Sequence, residues 1–100
     1  MEMNINRENG ITTVVLAGRL DTPAAQEAAP ELNALKNEAG GTIILDCTDL
    51  NYISSSGLRL FLVLRKAAAE KGGKVIVQNI SDSIRNVFMM TGFLNLFEIR

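Results

Sequence analysis

Two spacings of apolar residues alternate along this chain. Met3 and Ile5 sit two apart in a first short run, Met3–Arg7, and Ile11–Ala17 forms a second, β-rich run. Between them Asn9-Gly10 is a strong two-residue hairpin signal, because both positions tolerate positive φ. The two runs are expected to pair antiparallel. The second carries apolar residues on both faces, which predicts a place inside the sheet. The spacing then changes to 3.6: Ala25, Ala28, Leu32, Leu35 and Ala39 predict a helix, capped by Asp21 or Thr22, with Pro23 at its first position. Pro30, inside the pattern, is expected to kink or split it, and Gly40-Gly41 to end it. Thr42–Leu45, running into Asp46, reads as a buried parallel strand, and Cys47–Ile53 as a loop in which Asp49 and Asn51 form turns. Ser54-Ser55-Ser56-Gly57 opens a helix to about Lys71, closed by Gly72-Gly73. A strand follows at Lys74–Gln78. Next comes a helix capped by Ser81, with Asp82 in its first turn and Gly92 at its end. A turn at Phe93–Leu96 and an edge strand at Phe97–Ile99 complete the chain. The order ββαβαβαβ predicts an α/β fold: a mixed sheet opened by an antiparallel hairpin and continued by parallel strands with right-handed crossover helices.

Composition narrows the function. One hundred residues suit a single domain, 1–100. Ten basic residues against eleven acidic give a net charge of −1, without the basic patch that nucleic acid would require. The single cysteine, Cys47, excludes an intrachain disulfide and reads as a small buried hydrophobe. Met1-Glu2-Met3-Asn4 does not begin a signal peptide, and the longest uncharged apolar run, Leu60–Leu64, is too short to cross a bilayer. A soluble, cytoplasmic, monomeric protein with no membrane contact is expected.

Catalytic constellations are missing from the sequence. Histidine is absent, and neither a phosphate-binding glycine loop nor a Cys/His metal set occurs. A serine nucleophile needs a positioned base, and none stands at a telling spacing. The expectation is a binding module without a cofactor or metal. Met89 and Met90 read as core and helix surface. The informative stretch runs from Asp49 to Arg59, where three serines meet a helix start. Unpaired N–H groups and the helix dipole favour negative charge there. One serine can cap the helix; one can also be an exposed phospho-acceptor, or the group can hold a ligand's phosphate. On a helical wheel Leu60, Phe61, Leu64, Ala67 and Ala68 form a core stripe headed by Gly57. Leu58, Leu62 and Ala69 form a second apolar stripe, read either as a partner surface or as covered by a neighbouring helix. Arg59, Lys66 and Glu70 face solvent. Asp21, also between a strand and a helix, is either a cap or a carboxylate on the same rim as the serines.

Four stretches, in order and at compatible spacing, resemble the STAS domain, and in particular the bacterial anti-sigma factor antagonists. Gly18-Arg19-Leu20-Asp21 looks like the G-x-L-D after the second strand. Ile43-Ile44-Leu45-Asp46 with Asp49-Leu50 looks like the strand before the switch. Ser55-Ser56-Gly57-Leu58 is similar to the D-S-S-G-L helix start, with Ser54 where the family commonly has Asp. Met90-Thr91-Gly92-Phe93 resembles the late M-S-G-L turn. The resemblance implies a module that, unphosphorylated, binds an anti-sigma factor serine kinase and so frees a sigma factor. Phosphorylation by that kinase releases it, and a PP2C-type phosphatase restores it. The implied acceptor is Ser55, ahead of Ser56 and Ser54. The implied partner-facing set is Asp21, Thr22, Ser54, Ser56, Gly57, Leu58, Arg59 and Leu62. Other readings are a STAS module binding a small anionic ligand or nucleotide, a subunit of a transport or stress-signalling complex, and, last for want of a base, a serine hydrolase.

Overall fold

A computed structural model describes residues 1–100. Strands β1 (Glu2–Glu8) and β2 (Ile11–Leu20) form the antiparallel hairpin, closed by Asn9 at φ 52° and Gly10 at φ 78°. Left-handed conformation at both positions gives the turn whose twist matches that of the strands. Then follow α1 (Thr22–Ala34), a 3₁₀ turn (Leu35–Glu38), β3 (Thr42–Ile53), α2 (Ser55–Lys71), β4 (Lys74–Gln78), α3 (Asp82–Thr91), a second 3₁₀ turn (Phe93–Asn95) and β5 (Glu98–Ile99). The five strands lie in sequence order, antiparallel at β1–β2 and parallel from there on. The fold is mixed α/β, with the expected order of elements.

Burial alternates along the strands, so the helices cover one face of the sheet. Val14, Leu16 and Leu20 of β2, Ile43 and Leu45 of β3, and Val75 and Val77 of β4 form one cluster with Leu32, Phe61, Leu64, Ile84 and Phe88 from the helices. Ile76, on the opposite parity, lies outside that cluster, between Ile44 and Glu98 in register. β2 is interior in strand order, as its composition predicted, yet its second face stays partly open at Thr13, Val15 and Ala17.

Three local expectations need correction. Cys47–Ile53 is strand, not loop: β3 is 12 residues long and stays paired with β2 to its end, so Asp49 and Asn51 are exposed strand residues rather than turn formers. Two register shifts hide this. Between the pairs Val15–Asp46 and Ala17–Asp49, β3 spends three residues against two of β2; between Gly18–Leu50 and Arg19–Tyr52 it spends two against one. Each extra residue is a bulge, and it moves the buried positions to Cys47, Leu50 and Ile53, a spacing of three that reads as irregular. Of the two outcomes expected at Pro30, a kink or a split, the split does not occur: α1 is continuous through it. The proline is exposed, and so is Gln26, whose carbonyl loses its helical donor, so water can satisfy it. Met89 and Met90 are both exposed, at 59% and 86%, so neither belongs to the core. Cys47 is fully buried, and burial, with the Asp46 carboxylate beside it, pushes its thiol up to about 12.

Candidate functional site

Strands β2 and β3 run parallel and stop together, at the paired residues Leu20 and Ile53. A hydrogen bond joins the two exits: the Ser54 N–H donates to the Leu20 carbonyl at 2.9 Å. Each chain then turns directly into a helix. Asp21 caps α1, its Oδ1 accepting from the Ala24 N–H at 3.0 Å, while Pro23 takes the second helical position rather than the first. Ser54 caps α2, its Oγ accepting from the Gly57 N–H at 3.1 Å and its carbonyl from the Leu58 N–H at 2.9 Å. Two helix N-termini thus open side by side on one rim, both with dipoles that favour negative charge.

The three serines are not equivalent. Ser54 is buried and its hydroxyl is occupied by the cap. Ser55, the first helical residue, is exposed. Ser56 is half-buried and lines a groove between α1 and α2, with Ala25, Ala29, Arg59 and Val63. No side chain hydrogen-bonds to the hydroxyl of Ser55 or Ser56. An aspartate in place of Ser54 would cap equally well, so the departure from the D-S-S-G-L pattern preserves the local architecture.

The partner-facing set divides accordingly. Thr22 and Arg59 are exposed, and Asp21, Ser56 and Leu62 half-exposed. Ser54, Gly57 and Leu58 are buried, which removes them from the accessible surface. Leu58 belongs to the core cluster that holds Ile84 and Phe88. The side of α2 that it occupies is taken: two turns on, Arg65 donates from Nε to the Leu96 carbonyl at 2.6 Å, so the chain after α3 lies along the helix. Leu62 and Ala69 keep the accessible part of the second apolar stripe, in an outward groove with Val63.

The rim also holds a pair that the sequence did not reveal. Arg19 and Tyr52 face each other in register one residue before the strands end, with the guanidinium 4.3 Å from the ring centre. Only the bulged register brings them together, and no spacing rule would have found it.

Gly57 explains why the two corners are so close. A Cβ at this position would come within 2.8 Å of the Leu20 side chain and 2.9 Å of the Ile53 side chain. Gly57→Ala is therefore expected to cost about 1–3 kcal/mol by overpacking, and Ser54→Ala about 1 kcal/mol by uncapping α2. Urea unfolding measures both; an unchanged midpoint for Gly57→Ala would mean that α2 does not sit this tightly on the strand ends.

The STAS domain family model matches residues 2–100. This chain is a STAS domain. The anti-sigma-B factor antagonist of Bacillus subtilis is 30% identical to it, over 97% of this chain and 92% of that one. BtrV of Bordetella bronchiseptica is 28% identical over 99% and 85% of the respective chains. The STAS domain thus belongs with the anti-sigma factor antagonists by sequence. Among solved structures, the Bacillus protein SpoIIAA has the same fold. Its unphosphorylated form matches with a TM-score of 0.77 and 21% identity over 99% of this chain and 87% of that one. Its phosphorylated form matches with a TM-score of 0.77 and 22% identity over 99% and 91%. An anti-sigma factor antagonist from Mycobacterium paratuberculosis gives a TM-score of 0.85 at 16% identity, over 98% and 83%.

Proposed function

We propose that this STAS domain is an anti-sigma factor antagonist switched at Ser55. In its unphosphorylated form it binds an anti-sigma factor that is also a serine kinase, and so releases a sigma factor for transcription. The kinase phosphorylates Ser55 and frees itself, and a PP2C-type phosphatase resets the module. The protein acts by binding, not catalysis, in the cytoplasm; no helix is long and apolar enough to cross a membrane. Relatives named as antagonists support the partner class. The observation that carries the acceptor is the difference among the serines: Ser54 is consumed by its cap and Ser56 is half-buried, so Ser55 alone offers a free, exposed hydroxyl on the rim it shares with Asp21.

The test is peptide mass spectrometry after incubation with ATP and the host's candidate serine-kinase anti-sigma factors. A single gain of about 80 Da, one phosphate, on the Ser55 peptide is the expected result. A gain on Ser54 or Ser56 would overturn the acceptor. No gain with an active kinase that binds the protein would leave a binding module without this switch.

A further inference from the structure

Arg59 stands four residues beyond Ser55 on α2. Side chains at that spacing are neighbours, with Cβ atoms about 5–6 Å apart, and both residues are exposed. Ser54 has no such neighbour, since Leu58 stands at this spacing and is buried; Ser56 has Arg59 three residues on, but is itself half-buried, so Ser55 is the exposed serine beside this arginine. Arg59 is also unengaged. Arg7 is held by Glu38, Arg65 by the Leu96 carbonyl, Arg100 by Glu98 and Arg19 by the Tyr52 ring, whereas the guanidiniums of Arg59 and of Arg85, which lies apart on α3, have neither an ion pair nor a hydrogen bond. Finally, Arg59 walls two grooves, the one between α1 and α2 that contains Ser56 and the outward one floored by Leu62, Val63 and Ala69.

We propose that a phosphate on Ser55 is held by Arg59, which makes Arg59 the positioning residue through which the modification reshapes the neighbouring surface. This rests on Ser55 being the acceptor. The polarity of the pair is favourable, since an acidic group N-terminal to a basic one at this spacing is the better order on a helix. A phosphoserine carries about −1.5 to −2 charges at neutral pH and three acceptor oxygens, and a guanidinium can donate to two of them at once. Asp21, on the neighbouring corner, repels the phosphate from the α1 side and so favours a lean toward Arg59. The modification then acts twice: it adds negative charge at the rim, and it withdraws the one free cation shared by the two grooves from any acidic group of a partner.

The experiment installs phosphoserine at position 55 during biosynthesis and follows its second ionisation by phosphorus NMR. At the rim ends of the elements that meet here, the charged and titratable groups are Asp21 before α1, Arg19 on β2, Asp49 and Tyr52 on β3, and Arg59 on α2; Glu27 and Glu31 of α1, Asp46 and Cys47 of β3, and Arg65, Lys66, Glu70 and Lys71 of α2 lie further along. Arg59 should lower the midpoint by roughly half a pH unit relative to Arg59→Gln. Arg59→Lys should restore part of the shift, and Arg19→Gln should leave it in place. Equal midpoints with and without Arg59, or a shift abolished only by Arg19→Gln, would overturn the pairing. The two readings fail separately. A lowered midpoint with no kinase modification would remove the switch and keep the pair; modification by the kinase with equal midpoints would keep the switch and remove the pair.

Discussion

Phe61→Ala is expected to lower the unfolding free energy by about 3–5 kcal/mol. Phe61 is fully buried in the middle of α2, and it meets Phe88 and Phe97 edge-on with ring centres 6.3 and 6.4 Å apart. Truncation deletes both aromatic contacts and leaves a hole walled by Phe88 and Phe97 on α3 and the C-terminal segment, and by the sheet. Those walls are themselves tied together, since Phe88 and Phe97 both pack against Phe93. The cavity therefore has little freedom to collapse, which places the cost in the upper part of the range. Domains of this size have stabilities of about 5–15 kcal/mol, with roughly 4–8 °C of melting temperature per kcal/mol. A fall of roughly 12–40 °C is thus the thermal signature. Urea and thermal unfolding measure it. A loss below about 1.5 kcal/mol, the range of a volume-conserving swap, would mean that α2 is seated by something other than this aromatic contact.

The sequence carried the order of elements because its punctuation is local. Asn9-Gly10 closes the hairpin, Ser54 and Ser81 cap α2 and α3, and Gly72 and Gly92 end those helices in the left-handed conformation that glycine adopts freely. Each of these signals depends on a few adjacent residues. The errors arose where the controlling partner is distant. Cys47–Ile53 resembles a loop only because the bulges against β2 shift its buried positions, and a bulge is a property of two strands. The helical wheel leaves Leu58 open because the segment that lies along its side of α2, at the Leu96 carbonyl, comes from after α3. For Pro30 the deciding quantity was exposure, and an exposed carbonyl needs no protein donor.

The rim shows the same division. Asp21 and the serines stood out by residue type beside a predicted helix start. That they share one edge required the parallel Leu20–Ile53 pairing, and that the serines differ required Ser54 to be seen as the cap. Capping converts three similar hydroxyls into one structural, one half-buried and one free. The outward face of α2 that remains is small: α1 and the chain after α3 lie on either side, leaving Ser55, Arg59, Leu62, Lys66 and Ala69 between them.

Ser55→Asp should preserve the fold and weaken partner binding. Ser55 is exposed and its hydroxyl makes no hydrogen bond, so nothing internal is lost. A carboxylate in the first turn of α2 is favoured by the helix dipole, by about 0.3–1 kcal/mol. Thermal unfolding should therefore show an unchanged or slightly raised midpoint. Binding to the serine-kinase anti-sigma factor that modifies Ser55 should weaken at least tenfold, or about 1.4 kcal/mol, because a new charge must be desolvated or meet like charge at the contact. Ser56→Asp is the informative control. Its side chain lies half-buried in the groove between the helices, so a charge there should lower stability as well as affinity. Calorimetric or optical titration of the two variants separates the effects. Full affinity in Ser55→Asp would place the partner's contact away from this rim. A loss of stability in Ser55→Asp would mean that the position is not free, and the switch would then act through unfolding rather than through the interface.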